Sequence, residues 1–164
     1  MAFEIARKAL RRKGFLEMGV KRILVLNGPN LNLLGVREPA IYGSRTYGDL
    51  VAFVQGVAAE LGVAVEVRQS NFEGELVTWI QQARGAFDAI VLNAAAYTHT
   101  SVAILDALKA VGVRTVEVHL SDPETREDFR RLSYVSMAAE VTFKGKGFES
   151  YADALRHLAE KEVR

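Results

Sequence analysis

The sequence predicts an α/β protein built on a single doubly wound parallel sheet of five strands. Short apolar runs alternate along the chain with helical patterns of roughly 10–15 residues, as in repeated βαβ units. The length of 164 residues suits one domain with a sizeable core. For five strands in one domain, the flavodoxin-like strand order 2-1-3-4-5 is the leading candidate.

Five short apolar segments are predicted as the strands. They are rich in Val, Ile and Leu, and residues that favour turns follow most of them. In chain order the segments are Ile23–Leu26, Val63–Val67, Ala89–Leu92, Thr115–Leu120 and Val141–Phe143. Ala89–Leu92 is apolar throughout, as expected of a central strand that is covered on both faces of the sheet.

The helical spacing of apolar residues predicts helices between these strands. The expected helices are Tyr47–Leu61, Glu73–Arg84, Ser101–Val111, a short basic helix that starts at Ser121, and a last helix after Gly147. Thr46 and Asp49 have the spacing of a capping box at the start of the first helix. Ser121 and Glu124 have the same spacing at the start of the short basic helix.

Composition excludes several classes of function. The net charge of +1 gives no indication of a nucleic-acid partner. The absence of cysteine excludes disulfides, thiolate metal sites and a cysteine nucleophile. No apolar run approaches the roughly 18 residues needed to span a membrane. We therefore expect a soluble, cytoplasmic protein with no membrane partner.

Residues 1–20 differ in composition from the rest of the chain. They are basic and lack the continuous apolar stretch of a secretory signal. We interpret them as a basic extension outside the core, with Met18 as a possible alternative start. Residues 21–164 are then expected to form a single catalytic α/β domain.

Polar residues collect where the predicted strands end. In the 2-1-3-4-5 order, ligands bind beyond the carboxyl ends of the strands, where strands 1 and 3 part. The polar residues that follow strands 1, 3 and 4 are Asn27, Asn30, Arg37, Tyr42, Asn93, Thr98, His99, His119, Ser121, Arg126 and Arg130. His157 lies in the last helix instead, and we interpret it as a surface residue.

This set of residues restricts the chemistry. It contains no paired carboxylates for glycosidase-type catalysis and no cluster with metal-ligand spacing, so no metal is expected. The Gly-x-Gly-x-x-Gly pattern of dinucleotide binding is missing after strand 1, and no other cofactor is expected. What remains is acid–base chemistry on a small anionic substrate. The predicted helix start at Ser121, with Asn93 nearby, would receive a carboxylate.

The long loop after strand 1 contains a candidate base, Tyr42, and a candidate activator, Arg37. A phenol needs its pKa lowered from about 10 toward neutrality to act as a base. One guanidinium about 4 Å away contributes about 4 kcal/mol at an effective dielectric of 20, which corresponds to about three pKa units. One arginine therefore nearly suffices, and Arg130 could add to it.

At these residues the sequence resembles the type II 3-dehydroquinate dehydratases, from about Lys21 to Leu158. The similar motifs are Asn27-Gly-Pro-Asn-Leu-Asn-Leu-Leu-Gly35, Arg37-Glu-Pro-Ala-Ile-Tyr-Gly43, Gln69-Ser-Asn71 with Glu73-Gly-Glu-Leu76, Tyr97-Thr-His-Thr-Ser101, and Glu117-Val-His-Leu-Ser121 with Arg126-Glu-Asp-Phe-Arg130. The resemblance implies an anti elimination of water from 3-dehydroquinate, through an enolate, that gives 3-dehydroshikimate. It also implies a dodecamer of four trimers without a cofactor.

The resemblance further implies a role for each candidate residue. Tyr42 would take the C2 proton with Arg37 beside it, Asn30 would support the enolate oxygen through a water, and His119 would protonate the departing C1 hydroxyl. The substrate-binding residues would be Asn93, His99, Leu120, Ser121, Arg126, Arg130 and, in a neighbouring subunit's site, Asp106.

One position departs from the family pattern. Members usually have glycine where this chain has Ala95, in the segment Asn93-Ala-Ala-Ala96. A Cβ atom there matters if the backbone needs a positive φ or lies close to substrate.

Two alternatives stay open from the sequence. A non-catalytic binding module is possible because the flavodoxin-like fold hosts many functions. A lysine-dependent enzyme could catalyse the same net reaction through a Schiff base, although no lysine lies at a strand end of this edge.

Overall fold

A computed structural model describes residues 21–36 and 44–160. The strands are β1 (Arg22–Asn27), β2 (Ala64–Gln69), β3 (Ala89–Asn93), β4 (Arg114–Val118) and β5 (Val141–Phe143). The α-helices are α1 (Tyr47–Leu61), α2 (Glu73–Ala83), α3 (Val102–Val111) and α4 (Glu149–Ala159). Among the described residues, no helix is long and apolar enough to cross a membrane.

The strands form one parallel sheet in the order β2-β1-β3-β4-β5, which confirms the predicted fold class. Helices α1 and α4 contribute to the apolar core on one face of the sheet. Helices α2 and α3 contribute to the core on the other face. β1 lies between β2 and β3, so the loops after β1 and β3 lead to opposite sides and leave a crevice between them.

Two of the helices begin with the caps that sequence spacing indicates. The Thr46 side chain accepts a hydrogen bond from the Asp49 N–H, and the Asp49 carboxylate accepts one from the Thr46 N–H at 2.7 Å. This reciprocal pair is the predicted capping box. The Ser101 hydroxyl accepts a hydrogen bond from the Ile104 N–H at 3.0 Å, so Ser101 precedes α3 as its cap.

The predicted capping box at Ser121 and the predicted basic helix are wrong. The side chain of Asp122, not of Ser121, caps the segment by accepting a hydrogen bond from the Glu124 N–H at 3.0 Å. Pro123 follows as the first helical residue, a position that suits proline because no N–H is needed there. Only short 3₁₀ turns follow, at Pro123–Thr125 and Asp128–Arg131.

The fourth strand is shorter than predicted, because it ends at Val118 rather than Leu120. Its pairing with β3 extends only to Glu117, whereas the His119 N–H still bonds the Phe143 carbonyl of β5 at 2.9 Å. His119 and Leu120 therefore lie just beyond the sheet. The pairing of β4 with β3 ends before its pairing with β5. The apolar pattern of the sequence does not show this difference between the two neighbouring strands.

Gly28 marks a close approach between the loop after β1 and the loop after β3. A Cβ atom on Gly28 would overlap the carbonyl oxygen of Ala94 and would lie 2.6 Å from its carbonyl carbon. No side chain fits at that spacing without a shift of the backbone.

We predict that Gly28→Ala lowers the stability of the protein by about 1–3 kcal/mol, because the backbone of Ala94 has to move. Gly56→Ala is the matched control: Gly56 lies inside α1 with no atom within 4 Å of an added Cβ atom. That variant should gain about 0.5–1 kcal/mol from the better helix propensity of alanine. Thermal unfolding measures both, and equal melting temperatures for Gly28→Ala and the wild type would refute the close approach.

Candidate active site

A cavity of about 100 Å³ opens at the carboxyl edge of the sheet, where β1 and β3 part. Its walls come from the segments that follow β1, β3 and β4. The predicted site residues that line it are Asn30, Asn93, His99, His119, Leu120, Ser121, Arg126 and Arg130. The structure thus brings together residues that the sequence separates by up to about a hundred positions.

Three predicted site residues are not among the described residues of this wall. Arg37 and Tyr42 lie outside the described residues. Asp106 is exposed on α3 and does not line the cavity of its own chain. Among residues 21–36 and 44–160, no group of three or more histidine, aspartate or glutamate side chains is arranged to hold a metal ion.

His119 is held by a buried carboxylate. Its Nε2 atom lies 2.8 Å from Oε1 of Glu117, whose side chain is only 1% exposed. The same carboxylate accepts hydrogen bonds from the Ser133 hydroxyl at 2.6 Å and from the Thr142 hydroxyl at 2.8 Å. Since an ionised carboxylate only accepts, Nε2 of His119 carries the hydrogen of this bond. Nδ1 is therefore the ring nitrogen that can exchange a proton with a ligand.

Glu117 remains ionised although it is buried. Burial alone would raise the pKa of its carboxyl group, but the hydrogen bond and the charge of His119, with the Ser133 and Thr142 hydroxyls, hold that pKa below its usual range. The resulting negative charge lies 2.8 Å from Nε2 of His119 and fixes the orientation of the ring. Nδ1 is then the nitrogen that is available for proton transfer.

The end of β3 and the segment after it contribute Asn93 and His99 to the cavity wall. Oδ1 of Asn93 accepts a hydrogen bond from the Ala95 N–H at 3.2 Å, so this asparagine also caps the turn that follows. Nδ1 of His99 lies 2.7 Å from the Leu132 carbonyl, which can only accept. Nδ1 therefore carries a hydrogen, and Nε2 is the atom that faces possible ligands.

The backbone of Ala95 has the positive φ angle at which a Cβ atom is unfavourable. Its φ angle is +51°, in the left-handed region that favours glycine, and the residue lines the cavity. An alanine there costs roughly 1–2 kcal/mol relative to glycine. The extra methyl group belongs to the cavity wall, beside the residues that would bind substrate.

The segment after β1 places Asn30 at the opposite wall. Asn30 has a φ angle of +68°, a conformation that asparagine tolerates better than most side chains. Its backbone N–H donates to Oδ1 of Asn71 at 3.0 Å, and Gln69 donates to the same oxygen at 3.0 Å. The motif Gln69-Ser-Asn71 therefore supports the backbone of Asn30, next to the cavity.

Two arginines, Arg126 and Arg130, line the cavity. Nε of Arg130 pairs with Glu127 at 2.6 Å, and Nε of Arg126 lies 3.8 Å from the same carboxylate. Two guanidinium groups therefore lie beside one carboxylate in the cavity wall. This arrangement suits an anionic or polyhydroxylated ligand.

Sequence reasoning missed two residues of the site. Glu117 belongs to the motif Glu117-Val-His-Leu-Ser121 and lies two residues before His119 in the predicted fourth strand. Residues two apart in a strand point to the same face, and this spacing is the signal that the two side chains could meet. Tyr151 falls in the predicted last helix, where the sequence pattern does not distinguish it from an ordinary apolar core position. The structure buries it completely and places its hydroxyl between Asn27 and Asn93, at 2.6 and 2.9 Å.

The third histidine, His157, lies in the last helix and outside the cavity, as the sequence predicts. His157 lies on α4 away from the cavity, with its side chain 36% exposed and its Nε2 atom 2.8 Å from Glu140.

Comparison with known proteins identifies relatives along most of the chain. Residues 21–159 match the family model of dehydroquinase class II. The chain is 55% identical over 139 residues to the 3-dehydroquinate dehydratase of Phenylobacterium zucineum, covering 85% of this chain and 96% of that protein. It is 53% identical to 3-dehydroquinate dehydratase 2 of Pseudomonas aeruginosa, covering 86% of this chain and 95% of that one.

Comparison with solved structures also identifies type II dehydroquinases as similar proteins. The type II dehydroquinase of Butyrivibrio crossotus superimposes with a TM-score of 0.85 at 40% identity, covering 87% of this chain and 99% of that chain. The type II dehydroquinase of Propionibacterium acnes superimposes with a TM-score of 0.82 at 46% identity, covering 85% and 96%.

We predict that the stabilising effect of Glu117 depends on pH. Its pKa is lowered in the folded protein, so its contribution is complete above the unfolded value of about 4.5 and is lost as the pH falls through the folded value. The melting temperature of Glu117→Gln should therefore fall furthest below the wild type at neutral pH, and the gap should narrow below about pH 4.5.

Glu66→Gln is the control for this series, because Glu66 forms a partly exposed ion pair with Arg68 at 2.7 Å. Surface pairs contribute only about 0–1 kcal/mol. A gap for Glu117→Gln that stays constant with pH, or that equals the gap of the control, would contradict the ionised state of Glu117.

Proposed function

The chain belongs to the dehydroquinase class II family, and we propose that the cavity between the segments after β1, β3 and β4 is its active site. Its activity is the dehydration of 3-dehydroquinate to 3-dehydroshikimate, which makes it a hydro-lyase. The observation that carries the assignment of the site is the His119–Glu117 pair, which fixes an imidazole able to transfer a proton in the wall of the cavity.

The reaction begins with removal of a proton from C2 by the phenolate of Tyr42. The C2–H bond breaks, the proton moves to the phenolate oxygen, and the electron pair passes to the C3 carbonyl to form an enolate. Arg37 stabilises the phenolate by its charge. Asn30, in the wall of the cavity, supports the enolate oxygen through a water molecule.

The second step expels the C1 hydroxyl. The enolate re-forms the C3 carbonyl, the C1=C2 double bond forms, and the C1–O bond breaks. The departing oxygen takes the proton on Nδ1 of His119 and leaves as water. The Glu117 carboxylate, 2.8 Å from Nε2, stabilises the protonated ring before transfer and fixes its orientation.

Other residues of the cavity bind the substrate. Asn93 and the backbone of Leu120 and Ser121 hold its carboxylate. The helix start expected at Ser121 is not formed, so this contact depends on individual groups rather than on a helix N-terminus. The remaining polar groups of the ring contact His99 and Arg130. Arg126, which lines the cavity, would join a segment that closes over the bound substrate.

The assembly extends this proposal. We propose a dodecamer of four trimers in which Asp106 contacts a neighbouring subunit's site. Its exposed position on α3, outside its own cavity, is compatible with that role. Large apolar side chains that are well exposed in the single chain, such as Phe72 at 73% and Phe129 at 67%, would be covered by such contacts.

Three broader expectations accompany the activity. Residues 21–164 form the catalytic domain, and residues 1–20 are a basic extension outside it. The protein works in the cytoplasm without a cofactor. Its reaction serves the shikimate pathway, with quinate breakdown as the alternative role of the same chemistry.

Addition of 3-dehydroquinate to freshly purified oligomer tests the activity directly. The product is conjugated, so its ultraviolet absorbance should rise with time. The absence of turnover would favour a binding module with the same fold.

We predict that Tyr42→Phe abolishes turnover and leaves substrate binding largely intact, because only the proton-accepting oxygen is lost. Steady-state kinetics and calorimetric titration with 3-dehydroquinate measure the two properties. Tyr134→Phe removes a phenolic oxygen from a residue that does not line the cavity, and it should retain full activity. Retained turnover in Tyr42→Phe would mean that the base is another group.

We also predict that His119→Ala lowers kcat by about 10²–10⁴-fold, the range expected for loss of a general acid. His157→Ala removes the same side chain from a partly exposed position outside the cavity, and its kcat should remain near that of the wild type. Comparable losses in the two variants would contradict the assignment of His119 as the acid.

A further inference from the structure

A hydrogen-bonded bridge lies beneath the cavity. Asn27 and Asn93 are the last residues of β1 and β3 and pair with each other in the sheet register. The hydroxyl of Tyr151, on α4, lies between their side chains, 2.6 Å from Oδ1 of Asn27 and 2.9 Å from Nδ2 of Asn93. Tyr151 and Asn27 are 0% exposed, and Asn93 is 3% exposed. Tyr47 also hydrogen-bonds the Asn27 side chain.

The direction of every bond in this bridge follows from the backbone groups at its ends. The Arg68 carbonyl can only accept, so the atom of Asn27 that lies 3.3 Å from it is Nδ2. The Ala95 N–H can only donate, so the atom of Asn93 that lies 3.2 Å from it is Oδ1. Tyr151 consequently faces the Asn27 oxygen and the Asn93 nitrogen, and its hydroxyl donates to the first and accepts from the second.

The bridge does not switch with pH in the working range. Burial raises the pKa of the Tyr151 phenol well above its usual value, and the hydrogen bond from Asn93 only partly opposes this rise. The hydroxyl therefore keeps its proton and remains a donor to Asn27.

We propose that Tyr151 is a positioning residue for substrate binding, because its hydroxyl fixes the orientation of the Asn93 amide. Nδ2 of Asn93 uses one hydrogen on Tyr151 and keeps the second for a ligand in the cavity. This inference rests on the proposed function, in which Asn93 contacts the substrate carboxylate. A rotated amide would present its oxygen to that carboxylate and repel it.

The test is Tyr151→Phe, which keeps the ring in the core and removes only the hydroxyl. The Asn93 amide loses one of the two partners that orient it, while His119 and Glu117 are untouched. We expect KM to rise about five- to tenfold, the change that loss of a hydrogen bond of about 1 kcal/mol gives, with kcat within about twofold of the wild type.

Ser150→Ala is the matched control for the effect on folding. Ser150 precedes Tyr151 on α4 and is equally buried, and its hydroxyl accepts a hydrogen bond from the Lys146 N–H at 3.2 Å. This variant also loses a buried hydroxyl from the same helix, but not one that contacts Asn93. Its melting temperature should fall while KM stays at the wild-type value. A rise in KM equal to that of Tyr151→Phe would assign the effect to the helix and overturn the proposal.

A double variant separates this proposal from the one on which it rests. Asn93→Ala alone should raise KM, and adding Tyr151→Phe to it should raise KM no further, because the amide to be oriented is gone. If Asn93→Ala raises KM but Tyr151→Phe does not, or if the two effects multiply, the role of Tyr151 is refuted and that of Asn93 stands. If Asn93→Ala leaves KM unchanged, the carboxylate contact itself is wrong and both proposals fail.

Discussion

The site depends on the side-by-side ends of β1 and β3, which are joined by the hydroxyl of Tyr151. The order of the strands separates the loops after these ends, and the bridge fixes the asparagine amides at the floor of the crevice that results. A buried polar bridge of this kind is stable only when every donor and acceptor is paired. Its hydrogen bonds meet that condition from Arg68 to Ala95, apart from the second Nδ2 hydrogen of Asn93, which is left for a ligand in the cavity.

The second constraint is electrostatic. Glu117 is buried with a negative charge, which is costly unless hydrogen-bond donors and a positive charge compensate it. Ser133, Thr142 and His119 supply that compensation. The same arrangement occupies Nε2 of His119 and leaves Nδ1 as the ring nitrogen that is available for proton transfer. Stability and catalysis therefore depend on the same group of hydrogen bonds.

The sequence predicted the fold well, because the positions of strands and helices follow from apolar periodicity and from capping residues such as Thr46. The strand order follows from five strands that alternate with helices in one domain. It placed the wrong cap at Ser121, since Asp122 and Pro123 form a better start that the capping-box spacing alone does not reveal. Tyr151 could not be found from sequence, because an aromatic residue at a helical core position has the same pattern whether or not its hydroxyl has partners. Only the register of β1 with β3 shows what it bridges.

The most direct test of the account is a crystal structure of the Tyr42→Phe variant soaked with 3-dehydroquinate. In this complex the C1 hydroxyl oxygen should lie about 3 Å from Nδ1 of His119, with the substrate carboxylate at Nδ2 of Asn93. Glu117 should keep its hydrogen bond to Nε2. A substrate bound with its C1 hydroxyl directed away from His119 would contradict the proposed elimination.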